Sequence, residues 1–282
     1  MDQWMRSATL QIGPRRYSMD TLDFSFEIPF SDSEELSQAT LEIRNLSSRT
    51  RKAIRKGDQV IVNAGYENDV GAIFVGQAGE PSHKRDRVDW ITKILATAAL
   101  EEWLSKEVNK TYNKNIKSSA LLGDLLNLFG LEVGQMQLVQ DVTYPRGKVC
   151  KGKLKDILTE IATSDCKSRF LIKNGQLVIN DPNNGDNRGY VLSAATGLLK
   201  VDDEAVTTQA TTPQTTKDTE DQKSDKENVV KLEALLNYHI GPGDVVTVKS
   251  QQRNGRFLVK KGVYKGSRTG KWVIEITEAR PL

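Results

Sequence analysis

The sequence predicts a mainly β fold in which two similar β regions flank a small α+β insert. Short segments before residue 100 and after residue 228 alternate apolar and polar side chains, which is the pattern of half-buried strands. Between residues 110 and 182 the apolar spacing changes to that of amphipathic helices. Three landmarks, a Gly-Asp pair, a Phe and a Trp, recur in the same order in the two β regions.

The clearest strand lies at residues 20–30, where one face is apolar and the other carries Asp, Ser and Glu. Its apolar face consists of Leu22, Phe24, Phe26, Ile28 and Phe30. Further strands are predicted at residues 39–46, 59–64, 72–76 and 88–95. The basic segment from Ser47 to Lys56 interrupts them as a loop or a short helix.

Two helices are predicted in the middle of the chain, because apolar residues recur three and four positions apart. The stripe of the first helix is Leu122, Leu125, Leu126 and Phe129, and that of the second is Leu154, Ile157, Leu158 and Ile161. Ser118 or Ser119 can cap the start of the first helix, and Gly130 suits its end. Residues 169–179 predict a hairpin, since Asn-Gly separates two apolar runs there.

A polar tract opens at Asp202 and continues to residue 228 with Thr, Gln, Asp, Glu and Lys. It has too little apolar surface to offset the entropy of ordering, so it is predicted to be a solvated loop or linker. The alternative is an arm that becomes ordered against a partner. After the tract, short strands return at residues 245–248, 256–259 and 272–276.

The recurring landmarks indicate an internal duplication. Gly57-Asp58 corresponds to Gly243-Asp244, Phe74 to Phe257 and Trp90 to Trp272. The offsets between the copies are 186 residues at the Asp, 183 at the Phe and 182 at the Trp. Glycine permits a turn with positive φ, and the aspartate can bind nearby backbone N–H groups. We expect the Phe and Trp rings to fill the core of a barrel or sandwich.

Composition excludes several classes of function. Lys and Arg number 40 and Asp and Glu number 37, which gives a net charge of +3. A domain-wide basic surface of the kind that binds nucleic acid is therefore not expected. No run reaches the roughly 18 apolar residues of a membrane span, and Met1-Asp2-Gln3-Trp4 does not resemble a signal peptide. The only cysteines, Cys150 and Cys166, cannot form a disulfide framework, so folding in a reducing cytoplasm is expected.

No catalytic, cofactor-binding or metal-binding residue is predicted. His83 lies in a polar loop without a Ser or Cys partner motif and is interpreted as a satisfied surface histidine. His239 lies beside a predicted strand and is interpreted as structural. Cys150 is interpreted as a small buried residue. The glycines at 130–134 and 262–270 lack the setting of a phosphate-binding loop.

Two basic groups leave three interpretations open. They are the run from Arg49 to Lys56 and the set Lys260, Lys261, Lys265, Arg268 and Lys271. Each could be a solvated face, an inter-subunit or tube-lumen surface, or a contact for phosphates. A dedicated single-strand nucleic-acid site is disfavoured, because no stacking aromatics are interleaved with these cations.

An ordered set of short segments, spread over most of the chain, carries a resemblance to a known family. On the N-terminal side the set consists of residues 39–47, Arg55-Lys56-Gly57-Asp58-Gln59-Val60, Ala64-Gly65-Tyr66 and Ile73-Phe74-Val75-Gly76. In the insert it consists of residues 151–158, 170–172 and 177–179. Toward the C-terminus it consists of residues 235–237, Ile240-Gly241-Pro242-Gly243-Asp244 and Gly255-Arg256-Phe257 to Trp272. In these segments the chain resembles the tail hub proteins of phages, the group related to the hub of contractile tails and to late control protein D.

The resemblance implies two tube-like β-barrel domains flanking a small α+β domain. The first barrel is expected at residues 1–105, the insert at 106–185, and the second barrel at 186–202 together with 229–282. Residues 203–228 would form a flexible polar loop or linker. It also implies a structural virion protein without enzymatic activity, a trimeric baseplate or tail-tip hub that adapts a six-fold tail tube to a three-fold spike or fibre.

The implied partners are two further copies of the chain, tail tube or distal tail ring proteins, and a central spike or fibre. A tape measure protein and the baseplate wedge are further partners of this kind, whereas no cofactor, membrane anchor or specific nucleic acid is expected. The protein would reside in the virion tail after assembly in the bacterial host cytoplasm. The alternatives are a tail-associated enzyme that degrades cell wall, or a glycan-binding module.

Overall fold

The structure, a computed structural model, describes residues 5–32, 38–67, 69–98, 106–127, 133–173, 176–183, 185–204 and 229–282. Strands dominate the β regions on both sides of the insert. Before the insert they are β1 (Arg6–Ile12), β2 (Arg15–Ser18), β3 (Phe24–Ser31), β4 (Gln38–Arg44), β5 (Gln59–Tyr66), β6 (Asp69–Ala78), β7 (Ser82–Asp86) and β8 (Asp89–Thr97). After it they are β16 (Asp186–Ser193), β17 (Leu198–Glu204), β18 (Val229–Leu235), β19 (Asp244–Lys249), β20 (Asn254–Ser267) and β21 (Trp272–Pro281).

These strands form one continuous sheet of 14 strands among the described residues. Its main path runs β17-β18-β21-β20-β3-β4-β8-β6-β5-β1-β2, while β7 pairs with β8 and β19 pairs with β20 and β16. One hydrophobic core lies beneath both regions. The predicted mainly β fold is therefore confirmed, and the two β regions are joined edge to edge where β20 pairs with β3.

The strand order repeats, as the sequence landmarks predict. We call the strands β1–β8 the first module and β16–β21 the second module. In the first module β5 pairs with β6, β6 with β8, β8 with β4, and β4 with β3. In the second module β19, β20, β21, β18 and β17 pair in the same succession. The modules differ at the next strand, because β1 pairs antiparallel with β5 whereas β16 pairs parallel with β19.

The alternation predicted for the strand at residues 20–30 is present in β3. Phe24, Phe26, Ile28 and Phe30 are buried, and Leu22 packs against the same core. The basic segment contains a short helix, α1 (Ser48–Ala53), whose first turn is capped by the Ser47 side chain. The polar tract departs from its prediction, because Asp202, Asp203 and Glu204 belong to β17 and pair with residues 229–231. Residues 205–228 lie outside the described residues.

The insert has a separate core between β8 and β16. Its strands are β9 (Glu107–Tyr112), β10 (Ile116–Lys117), β11 (Val133–Met136), β12 (Thr143–Tyr144), β13 (Lys148–Lys153), β14 (Arg169–Lys173) and β15 (Gln176–Asn180). Its helices are α2 (Ser118–Asn127) and α3 (Leu154–Thr159), and α3 continues as a π-helix (Glu160–Asp165). The predicted hairpin is formed by β14 and β15.

The capping prediction for α2 was wrong. Ser118 is the first helical residue rather than a cap, and the Asp141 carboxylate accepts hydrogen bonds from the Ser119 backbone N–H at 3.0 Å and from the Ser118 hydroxyl at 2.9 Å. A cap supplied from 22 residues away is invisible to local sequence patterns. Phe129 and Gly130, predicted for the end of this helix, lie outside the described residues.

Candidate functional site

The two Gly-Asp turns have the same geometry in both modules. Gly57 and Gly243 have φ values of 89° and 82°, a region that favours glycine. The N–H of Gly57 donates to Ala78 O at 2.8 Å, and that of Gly243 donates to Val259 O at 2.8 Å. Asp58 Oδ2 accepts from Arg55 N–H at 2.9 Å, and Asp244 Oδ2 accepts from Gly241 N–H at 2.7 Å. The duplication therefore extends to individual hydrogen bonds.

The two Phe landmarks are both buried but are not equivalent in strand register. Val60 lies opposite Gly76, and Val246, its counterpart in the second module, lies opposite Phe257. A Cβ on Gly76 would approach the Phe74 ring to 2.7 Å, so this ring lies over the glycine. The ring therefore reaches the same layer of the core from a position two residues away along the strand.

The modules are joined through an interlocked pair of strands. Gly262 and Gly266 of β20 lie opposite Phe30 and Phe26 of β3. A Cβ at Gly262 would approach the Phe30 ring to 2.4 Å, and one at Gly266 would approach the Phe26 ring to 2.1 Å. Each ring thus packs on backbone that carries no side chain, which fixes the register of the junction.

A polar cluster makes a second contact between the modules. The Tyr238 hydroxyl donates to Asp69 Oδ1 at 2.8 Å, and His239 Nε2 lies 3.3 Å from the same oxygen. The His239 ring packs against Tyr238, with centroids 3.8 Å apart, and stacks on Tyr190 at 5.8 Å. Burial, together with the Asp69 carboxylate, raises the pKa of Tyr238 to about 12. The cluster holds the start of β6 against the loop between β18 and β19.

Trp272 and Trp90 differ in exposure although they occupy equivalent positions. Trp272 is 1% exposed and contacts Phe26 and Tyr66 of the first module, with ring centroids 5.7 and 6.5 Å away. Trp90 is 38% exposed and is covered on one face by the Arg51 guanidinium, 3.8 Å from the ring centroid. The prediction that both rings fill the core was wrong for Trp90, because in the described part of the chain its ring lies under Arg51 at the surface rather than against the other module.

The basic residues near the C-terminus are mostly held by carboxylates. Lys265 Nζ donates to Glu275 Oε2 at 2.6 Å and lies 3.7 Å from Glu27 Oε1. Lys271 Nζ donates to the other Glu275 oxygen at 2.8 Å, and Lys261 lies 3.4 Å from Glu278. Because these ammonium groups are paired, this surface favours a solvated face or a protein contact over a phosphate site.

The cysteine residues singled out in the sequence lie in the core of the insert, whereas the histidines lie in the two β modules. Cys150 and Cys166 are buried in the core of the insert, where burial raises the pKa of both thiols. His83 lies on β7, where its Nδ1 is 3.1 Å from Thr92 Oγ1. Among the residues that the structure describes, no cluster of His, Cys, Asp and Glu could hold a metal ion. None of the helices in that part of the chain is long and apolar enough to cross a membrane.

Comparison with protein-family models and with curated sequences gives no match. Solved structures do match over nearly the whole chain. A tail protein from Neisseria meningitidis MC58 aligns with a TM-score of 0.67 at 10% identity, covering 99% of this chain and 97% of that one. The 43 kDa tail protein of prophage MuSo2 from Shewanella oneidensis aligns with a TM-score of 0.68 at 12% identity, covering 97% and 98%.

A third similar structure comes from outside phages. It is the E. coli c3393 protein, a component of the type VI secretion system with structural similarity to the T4 bacteriophage tail proteins gp27 and gp5. It aligns with a TM-score of 0.62 at 11% identity, covering 97% of this chain and 76% of that one. The chain therefore has the fold shared by phage tail proteins and this secretion component, which confirms at the level of fold the resemblance that the sequence indicates.

Proposed function

We propose that the chain is a structural hub at the baseplate or tip of a phage-type tail. In this proposal it assembles as a homotrimer and joins a six-fold tail tube to a three-fold spike or fibre. The observation that carries the proposal is the β module that occurs twice in one chain with the same strand order. Three copies would present six similar modules, so one object would satisfy both symmetries.

The fold neighbours support this proposal. Two of them are tail proteins whose solved chains are covered to 97% and 98%, so the likeness includes the insert as well as the modules. In the proposal each module, at residues 1–105 and at 186–202 with 229–282, forms one tube-like barrel domain of the ring. Residues 106–185 form the insert, and residues 205–228 connect β17 to β18.

The partners follow from the symmetry argument. A tail tube or distal tail ring protein would contact the six-module face, and a central spike or fibre would contact the three-fold face. Tape measure protein and baseplate wedge would lie next to these contacts. The basic segment from Arg49 to Lys56 would lie at a ring contact, since its Arg51 covers Trp90 at the edge of the first module.

Electron microscopy of the purified chain mixed with the tail tube protein of the same particle tests the proposal. We expect tube ends capped by one ring whose mass equals three chains. Tubes that remain uncapped at every concentration would overturn it. Clearing of peptidoglycan in a zymogram would favour the cell-wall-degrading alternative, and saturable binding of a glycan by a monomer would favour the binding module.

A further inference from the structure

The junction within the chain shows which elements of the two modules contact each other. Residues Lys261–Ser267 of β20 pair antiparallel with β3, and Lys265 lies opposite Glu27. Next to this pairing, Trp272 enters a space bounded by β3, by Tyr66 at the end of β5, and by Arg6 at the start of β1. The first module thus supplies a strand edge and a socket, and the second supplies a strand edge and a tryptophan.

The first module also has the inserting half of such a junction, and among the described residues no second strand pairs with its outer edge. β6 and β7 pair one after the other with the same edge of β8, in the way that the single strand β20 pairs with β21. Arg85 lies opposite Trp90, just as Gly266 lies opposite Trp272. All five residues of β7 are exposed, and in the described part of the chain β7 pairs along one edge only, with β8.

The second module has the accepting half. β17 pairs with β18 as β3 pairs with β4, and β17 is the last strand of the sheet path through the described residues. Beside it lies a cavity of about 740 Å³. Its walls are β17, the turn between β19 and β20, and the end of β16, and they include Leu198, Leu199, Val201, Ser193, Gln252 and Asn254. β17 and the end of β19 correspond to β3 and the end of β5, which enclose Trp272, and the end of β16 takes the place of the start of β1 although the strand runs in the opposite direction.

We propose that β7 and Trp90 of one copy bind β17 and this cavity on a second copy, in the register that β20 and β3 form within one chain. The inference rests on the proposed function, since it specifies the contact by which hub copies join. The same chain cannot satisfy it, because β18, β21, β20, β3, β4 and β8 separate β17 from β7 along the sheet. The contact is head-to-tail, so it closes into a ring when the rotation allows.

The charges on the two strands fit this register. Val201 occupies the position of Phe26, because each lies opposite the equivalent leucine, Leu232 or Leu41. Arg85 occupies the position of Gly266, which lies opposite Phe26 in the junction within the chain. Superposing the proposed junction on that one therefore places Arg85 opposite Val201. Its neighbours then pair with opposite charges, Lys84 with Asp202 and Asp86 with Lys200. The first of these pairs is the counterpart of the Lys265–Glu27 pair, whose charged atoms are 3.7 Å apart.

Cysteine cross-linking between two differently labelled chains tests the register. One chain carries Lys84→Cys and the other Asp202→Cys, and the native Cys150 and Cys166 are buried. Directly opposed residues in antiparallel strands have Cα atoms about 4.5–5.5 Å apart, which suits a disulfide. In oxidising buffer we expect the mixture to give at least about tenfold more cross-linked dimer than either chain alone. Lys117→Cys on the insert, mixed with Asp202→Cys, is the control.

The outcomes separate this inference from the proposed function. A trimer by sedimentation, with cross-linking above the control, supports both. A trimer without that cross-link overturns the β7–β17 contact and leaves the hub proposal standing. A chain that is monomeric up to millimolar concentration, without cross-linking, overturns both.

The two tryptophans provide a second, independent test. Trp90→Ala should weaken association by at least about tenfold while leaving the melting temperature of the monomer unchanged, because a buried aromatic anchor dominates such contacts. Trp272→Ala should instead lower the melting temperature, since that ring is already buried within the chain. Assembly of Trp90→Ala with wild-type affinity would overturn the role of Trp90.

Discussion

Arg169 contacts three parts of the chain from a position that is only 7% exposed. Its guanidinium donates to Asn180 Oδ1 at 3.1 and 2.8 Å and lies 3.6 Å from Asp32 at the end of β3. It also lies against Gly243, where a Cβ would approach it to 2.6 Å. Burial lowers the pKa of Arg169 and raises the pKa of Asp32, so both charges are costly here, and Lys260 as well as Arg169 compensates the Asp32 carboxylate.

Replacing Arg169 by Met should lower the free energy of unfolding by about 3 kcal/mol, because it removes one of the cations that compensate the Asp32 carboxylate and the two donors to Asn180 Oδ1. Adding Asp32→Asn should recover part of that loss. Urea denaturation of the wild type, the two single variants and the double variant would measure the interaction energy between the two residues. Arg188→Met is the control, since its pair with Asp186 is half exposed. A loss no larger than that of the control would contradict the role given to Arg169.

Asp165 makes the stability of the insert depend on pH. Burial acts to raise its pKa, but hydrogen bonds from the Tyr144 hydroxyl at 2.5 Å and from Lys148 Nζ at 3.0 Å outweigh this effect, so the pKa is lowered. A carboxylate whose pKa is lowered on folding stabilises the folded state above its unfolded pKa of about 3.9. That contribution is lost as the pH falls through the folded value.

Asp165→Asn should therefore cost about 2 kcal/mol at pH 7, the usual size for hydrogen bonds to a charged group. The difference from the wild type should shrink as the pH falls below about 4. Denaturation monitored at a series of pH values would measure it, with the exposed Asp156→Asn as control. A difference that stays constant from pH 7 to pH 2.5 would show that the charge of Asp165 contributes nothing.

Some residue-level predictions from the sequence were wrong for physical reasons. The Gly-Asp turns were predictable, because positive φ and a capping carboxylate leave a local pattern. The exposure of Trp90 was not predictable, because it depends on whether another module covers the ring. The equivalence of Phe74 and Phe257 was also misjudged, since two positions on one strand face reach the same layer of the core.

At the scale of elements, the junction between β3 and β20 depends on glycines that accept phenylalanine rings. Phe26 and Phe30 lie over Gly266 and Gly262, and the strands on both sides are buried in the common core. The proposed junction between copies is chemically different, because it places Arg85 opposite Val201 and charged residues on either side. A buried junction suits folding of one chain, and a polar junction suits subunits that meet after folding.

Gly266→Ala should destabilise the chain by about 1–3 kcal/mol, because the new methyl group overlaps the Phe26 ring and the core cannot expand to accept it. Thermal unfolding measures this loss. Gly123→Ala is the matched control, since a Cβ there meets nothing within 4 Å in helix α2, and it should stabilise the helix by about 0.5–1 kcal/mol. Equal effects of the two substitutions would contradict the packing described for the junction.

The elements that could be predicted are those with an apolar face. β3 and β4 have clear alternation, and their apolar side chains are buried in the core. The β14–β15 hairpin consists of two apolar runs separated by the turn signal Asn-Gly. β7 has no apolar residue, so its strand conformation comes from pairing with β8. The acidic end of β17 was predicted to be loop for the same reason, and pairing with β18 makes it extended.

At the scale of the whole molecule, the duplicated module connects sequence, fold and proposed function. The chain uses one junction internally and has the two complementary halves of another at separate edges of its sheet. The sequence could predict the duplication from its three landmarks. It could not predict the sharing of one sheet, because pairing between β3 and β20 depends on residues more than 200 positions apart.

The most direct test of this account is an electron microscopy reconstruction of the assembled protein, calculated without imposed symmetry. We expect three chains arranged around one axis and six β modules in a closed ring, with in-chain junctions alternating with β7–β17 junctions. A ring with any other number of modules, or a trimer that meets only through its inserts, would contradict it.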